Sequence, residues 1–171
     1  MNHEDRGHWG DLLRRNKGEF VRLLLINTGG IGFMTEARSK ETLKSEKLRM
    51  LCNEYKIDVV CLTDVNKDWR EVDQQHSIWN ATSRWREFRR IHVSNNTTKK
   101  TSGEFQVGGT AMIGFDDIGY RISKQGSDDR NLGRWTWHTI TGKHNCNTTI
   151  VTCCIIGSGE PWQWLGMRFS Y

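Results

Sequence analysis

Residues 21–63 decide the fold: VRLLLIN (21–27), the glycine-rich TGGIG (28–32), KETLKSEKLRMLCNEYK (40–56) and IDVVCLT (57–63). VRLLLIN is a short, almost unbroken apolar run, and TGGIG stops it. The pattern predicts a buried strand that ends in a glycine loop. The segment 40–56 carries Leu43, Leu48, Leu51 and Tyr55 at helical spacing with charges between them, which predicts an amphipathic helix. IDVVCLT predicts a second buried strand, closed by DVNKDW. Strand, helix, strand in this order is a crossover unit, and its two strands lie parallel in one sheet. Parallel strands finish at the same edge, so Asn27 and Asp64 are expected side by side at the rim where open sheets bind ligands.

Beyond residue 70 the reading turns to strands. EVDQQHSIWNATSRWREF (71–88) places Val72, Trp79, Trp85 and Phe88 along one helical face and predicts a second helix. RIHVSN, GGTAMIGF, GYRIS, GRWTWHTITG and TTIVTCCII follow as five strand-like runs separated by Gly, Asn and Asp turns. An α/β start followed by a β-rich half predicts an α/β (α+β) chain, a layered β-sandwich flanked by helices. Residues 1–19 read as a polar lead-in, 20–156 as the folded domain, and 157–171 (GSGEPWQWLGMRFSY) as an atypical tail with neither strand alternation nor a helical stripe.

Composition narrows the class. The chain has 171 residues, 36% hydrophobic and 26% charged, with eight Trp and six Phe, enough to build one core. Lys and Arg outnumber Asp and Glu 25 to 20, and the net charge of +5 favours a polyanionic partner such as nucleic acid. Five cysteines occur without a Cys-x-x-Cys pair, against a zinc ribbon, and the odd count suggests reduced, mostly buried thiols. The first residues, MNHEDRGHWG, carry no apolar signal segment and no run reaches membrane-spanning length, so an intracellular, non-membrane protein is expected.

Four segments together resemble the endonuclease/exonuclease/phosphatase superfamily, in particular the apurinic-endonuclease-like nuclease domains that accompany retrotransposon-type reverse transcriptases. LLLINTGGIG is similar to the first strand and its turn, and IDVVCLTDVNKDW to the strand that ordinarily ends in Glu. GGTAMI is similar to a central strand, and NLGRWTWHTITGKH with IVT to the next two. The resemblance covers residues 22–152 and implies the N-terminal portion of that fold.

The resemblance implies a magnesium site at Asn27 and Asp64, with Asp64 standing where the family has Glu; a carboxylate there suits a cation that demands oxygen ligands. It also shows departures. Gly29 replaces a second Asn, and Cys154 and Ile155 fall where the family has a Tyr-Arg pair. From Ile155 to Tyr171 there is no Asp or His, so the Asp-x-Asn and Asp-His motifs that place the water and supply the base have no counterpart. The expectation is a truncated phosphodiesterase, weak or inactive alone, binding Mg weakly, and completed by another chain or by downstream sequence. The alternative is a non-catalytic nucleic-acid-binding module using Arg134, Trp135, Trp137 and Lys143, with the two Trp rings as a stacking platform.

Plainer readings stand beside these. Asn27 also fits a strand-end residue that bonds its own turn, and Asp64 a cap before Asn66. Trp135 and Trp137 fit core or sheet-covering residues, and His138 a strand-surface residue. Adjacent Cys153 and Cys154 are expected on opposite faces of a strand, which argues against a paired nucleophile.

Overall fold

The computed structural model describes residues 20–32, 40–83, 85–86, 89–98 and 105–154. The expected lead-in and tail lie outside the described residues, as do Phe88, Lys99 and Lys100.

Among the described residues seven strands form two sheets. The first holds β1 (Leu23–Asn27), β2 (Val59–Thr63), β4 (Thr110–Phe115) and β3 (Arg89–Ser94), in the spatial order β1-β2-β4-β3. β1 and β2 are parallel, joined through α1 (Lys40–Glu54), and the remaining pairs are antiparallel. The second sheet is antiparallel, β5 (Ile122–Ser127), β6 (Trp135–Thr141) and β7 (Asn147–Cys153). It lies over the first, with β6 across β4 and β7 across β2 and β4.

Every residue of β2 is buried, as a central strand covered on both faces requires. Val60 and Leu62 face α1 and join Leu48, Cys52 and Ile113 in one core. Val59 and Cys61 face the second sheet and join Met112, Ile122, Ile140 and Ile150 in the other. The alternation follows from the two-residue side-chain period of a strand, and each fully buried aliphatic side chain contributes about 1.5–3 kcal/mol.

In α1 the buried stripe is Ser45, Leu48 and Cys52, so the helix is rotated from the expected face and Tyr55 is left 37% exposed. The helix ends in a Schellman-type closure. Lys56 takes φ +52°, and the Ile57 N–H donates to the Cys52 carbonyl at 3.1 Å.

The single helix expected over 71–88 is not formed. A 3-10 turn (Gln74–His76) gives way at Ser77, which is extended (ψ 155°) and caps a short α2 (Ile78–Thr82) by accepting from the Asn80 N–H at 3.3 Å. Serine favours a cap over a helix interior because its hydroxyl competes for backbone donors. Trp85 is buried as expected, whereas Trp79 is 41% exposed. GYRIS is also divided. Gly119–Arg121 close a short helix, α3 (Asp116–Arg121), whose Asp116 and Asp117 favour its N-terminal turn, and the strand begins at Ile122. No helix among the described residues is long and apolar enough to cross a membrane.

Candidate active-site rim

The parallel register Leu23↔Val59 through Asn27↔Thr63 carries the two expected site residues to one rim. The Asn27 side-chain amide Nδ2 donates to Asp64 Oδ2 at 2.6 Å. Asn27 Oδ1 accepts from the Gly29 N–H at 3.0 Å, closing the glycine turn on itself, so the plainer strand-end role of Asn27 is present as well.

The rim is woven from backbone. The Gly30 N–H donates to the Asp64 carbonyl at 2.8 Å and the Ile31 N–H to the Val65 carbonyl at 3.1 Å, extending the parallel pairing past the strands. The Thr28 hydroxyl donates to the Asp64 carbonyl at 2.8 Å. Lys44, from α1, donates its ammonium to the carbonyls of Thr28 (2.8 Å), Gly29 (3.2 Å) and Gly30 (2.9 Å). On the other side the Asn66 carboxamide oxygen accepts from the Gly108 N–H at 2.8 Å.

Asp64 and Asn66 both take left-handed conformations, φ +50° and +54°. Asp and Asn tolerate that region better than longer or branched side chains. This gives a local reason for a short carboxylate at 64.

A third side chain completes the cluster. Cys154, one residue past β7, lies with Sγ 2.6 Å from Asp64 Oδ1 and donates to it. Burial pushes its thiol up to about 12, and the adjoining Asp64 carboxylate adds to the rise. Cys154 is therefore a protonated donor and not a nucleophile. The sequence signal for it was the alternation of β7: Ile150, Thr152 and Cys154 are buried, while Cys153 faces outward.

The four residues expected on a nucleic-acid face are divided. Arg134 is exposed beside the rim, where its carbonyl accepts from the Cys154 N–H at 2.6 Å. Trp135 and Trp137 are half-buried on the outer face of β6, and the Trp137 ring covers Gly126. Lys143 is exposed beyond the far end of β6, which spans about 20 Å at the rise of an extended strand. Arg134 belongs with Asp64 and Lys143 does not.

His138 is a correction. It is fully buried between the sheets rather than on a strand surface, because Thr136, His138 and Ile140 form the inward face of β6. Three thiols, Cys52, Cys61 and Cys154, are buried and reduced, whereas Cys146 and Cys153 are exposed.

The chain can be compared with solved structures on this basis. An endonuclease/exonuclease/phosphatase family protein from Leptotrichia buccalis C-1013-b superposes with a TM-score of 0.53 at 14% sequence identity, covering 80% of this chain and 55% of that one. The fold is that of the endonuclease/exonuclease/phosphatase proteins. The chain spans about half the length of that relative. No family model and no curated protein matches the sequence.

Among the described residues no group of three His, Cys, Asp or Glu side chains is placed to hold a metal ion. The rim offers one carboxylate, whose two oxygens already accept from Asn27 and Cys154, and one amide oxygen. A hydrated magnesium ion, which keeps most of its waters, would have the Asp64 carboxylate alone to lean on here. The donor set does not fit a dehydrated cage.

Proposed function

We propose that this chain is a reduced metal-dependent phosphodiesterase or endonuclease-like domain of the retroelement, apurinic-endonuclease-like type, with low or no activity alone. The observation that carries the reading is the 2.6 Å contact between Asn27 and Asp64 at the ends of two parallel strands. In this reading Asn27 and Asp64 hold magnesium weakly. A magnesium ion held there would supply Lewis-acid charge to a phosphodiester.

In this reading the chain's own side chains limit the activity. Asn27 orients the carboxylate, Cys154 shields its second oxygen, and Arg134 stands beside the rim as a cation for a phosphodiester. The half-buried His92 and fully buried His138 face each other between the sheets, set back from the exposed edge where Asp64 lies. Phosphoryl transfer depends on ion, oriented water and base acting together, and one of the three leaves little rate.

Nicking of supercoiled DNA with and without Mg²⁺ tests it. Wild type is expected to nick barely above background, and Asp64→Ala to remove that residue of activity. Robust Mg²⁺-dependent cutting by wild type overturns the low-activity reading, and equal cutting by Asp64→Ala overturns the site. Salt-sensitive DNA binding without any cutting, weakened by Arg134→Ala, is the outcome that favours a purely binding module.

A further inference from the structure

Beneath the Asp64 rim the interior between the two sheets is polar before it becomes apolar. Thr63, Thr110 and Ser94 stand side by side across β2, β4 and β3, and Thr136 pairs with Thr152 across β6 and β7. All five are buried. Two residues further from the rim come Cys61, Met112 and His92 on the first sheet and His138 and Ile150 on the second, with the His92 and His138 ring centroids 6.5 Å apart. Below them lie Val59, Ile122 and Ile140, an ordinary apolar core.

The polar layer is unsatisfied by the protein. Thr110 Oγ1, Thr136 Oγ1, Thr152 Oγ1, both ring nitrogens of His138 and Nε2 of His92 are buried without a protein hydrogen-bond partner. The nearest protein group to the Thr152 hydroxyl is the Cys61 sulfur, a weak acceptor. Leaving a buried hydroxyl or imidazole nitrogen unbonded costs its desolvation penalty, and Val in place of each Thr would avoid that cost at the same shape. Buried polar groups that lack protein partners are ordinarily bridged by ordered water making two to four bonds. The layer also touches the rim at two points: Thr63 precedes Asp64, and Thr152 lies two residues before Cys154 on the same face of β7.

We propose that this layer is a hydration site: a cluster of internal water molecules bonded to Thr110, Thr136, Thr152 and His138 and continuous with the Asp64–Cys154 rim. Threonine hydroxyls both donate and accept, and a neutral imidazole offers one donor and one acceptor, so the set can bond a small cluster completely. The titratable and charged groups beside His138 are His92 and Arg90 from β3, neither of them an anion. The inference is independent of the phosphodiesterase reading.

Oxygen-17 magnetic relaxation dispersion of the solvent counts long-lived internal waters without interference from hydroxyl protons. Wild type is expected to show a dispersion whose amplitude falls in Thr136→Val/Thr152→Val, with a lowered thermal midpoint for that variant. Thr136→Ser, which keeps the hydroxyl, is expected to retain the wild-type amplitude. An amplitude that is the same in wild type and the double valine variant, or a midpoint raised by the valines, shows a dry layer and overturns the proposal.

Discussion

Lowering the pH below 6.5 should destabilise this fold through His138. Burial lowers the pKa of His138 from 6.5 to about 4, and the neighbouring His92 and Arg90 push it the same way. The unfolded chain, with its His at the ordinary value, binds the proton more readily than the fold does. Stability from the neutral ring is therefore complete above pH 6.5 and is lost progressively as pH falls toward 4. A lowering from 6.5 to about 4 corresponds to about 3 kcal/mol. That is a large part of the roughly 5–15 kcal/mol that a domain commonly has. His92, lowered by burial as well, adds in the same sense. Internal water bonded to His138 satisfies the neutral ring without supplying a counter-charge, so the sign is unchanged. Urea unfolding followed by Trp fluorescence from pH 8 to 5 measures the loss, with His138→Leu as reference to cancel the carboxylates. Wild type should lose about 1 kcal/mol or more relative to the variant between pH 6.5 and 5. Parallel pH profiles for the two proteins would refute the reasoning.

Other outcomes follow from the rim. Gly133 has φ +69°, and a Cβ there would meet backbone at Asn96 N (2.7 Å), Asn95 C (3.0 Å) and Gly109 Cα (3.0 Å). Gly133→Ala should cost about 3 kcal/mol in urea unfolding, combining left-handed strain with overpacking; a cost under about 0.5 kcal/mol would contradict the packing of the β3–β4 and β5–β6 connections. Lys44→Met leaves three carbonyls of the glycine turn without their ammonium and should cost about 1.5 kcal/mol; a neutral substitution would mean that the lysine does not hold the turn. Thiol labelling of the native protein at pH 8 should modify exposed Cys146 first and leave Cys154, at a pKa of about 12, untouched until unfolding. Rapid native labelling of Cys154, located by peptide mapping, would contradict its bond to Asp64.

The first half of the fold was legible because its signals are local. Two apolar runs with a helical stripe between them define a crossover, and the crossover alone brings Asn27 to Asp64. The strands of the second half were legible as runs, but not the faces they present. β6 alternates Trp with Thr and His, and the heavier Trp side chains suggest the core; the actual core side is Thr136, His138 and Ile140, because the first sheet covers that face. Position along the chain does not carry that information. The break at Ser77 turns on a single cap competing with a helical pattern. Arg134 and Lys143 flank β6 and so lie at its opposite ends, with Arg134 at the end where Cys154 meets Asp64. Cys154 escaped notice as a partner of Asp64 because their contact spans 90 residues.

Titration of Mg²⁺ into isotopically labelled protein, followed by amide NMR, addresses the shared rim most directly. Saturable shifts in the millimolar range are predicted at the Asn27 carboxamide and the Gly29, Gly30 and Asp64 amides, and they should vanish in Asp64→Ala. The account is contradicted if these signals stay still throughout the titration, or if the same shifts persist in the variant.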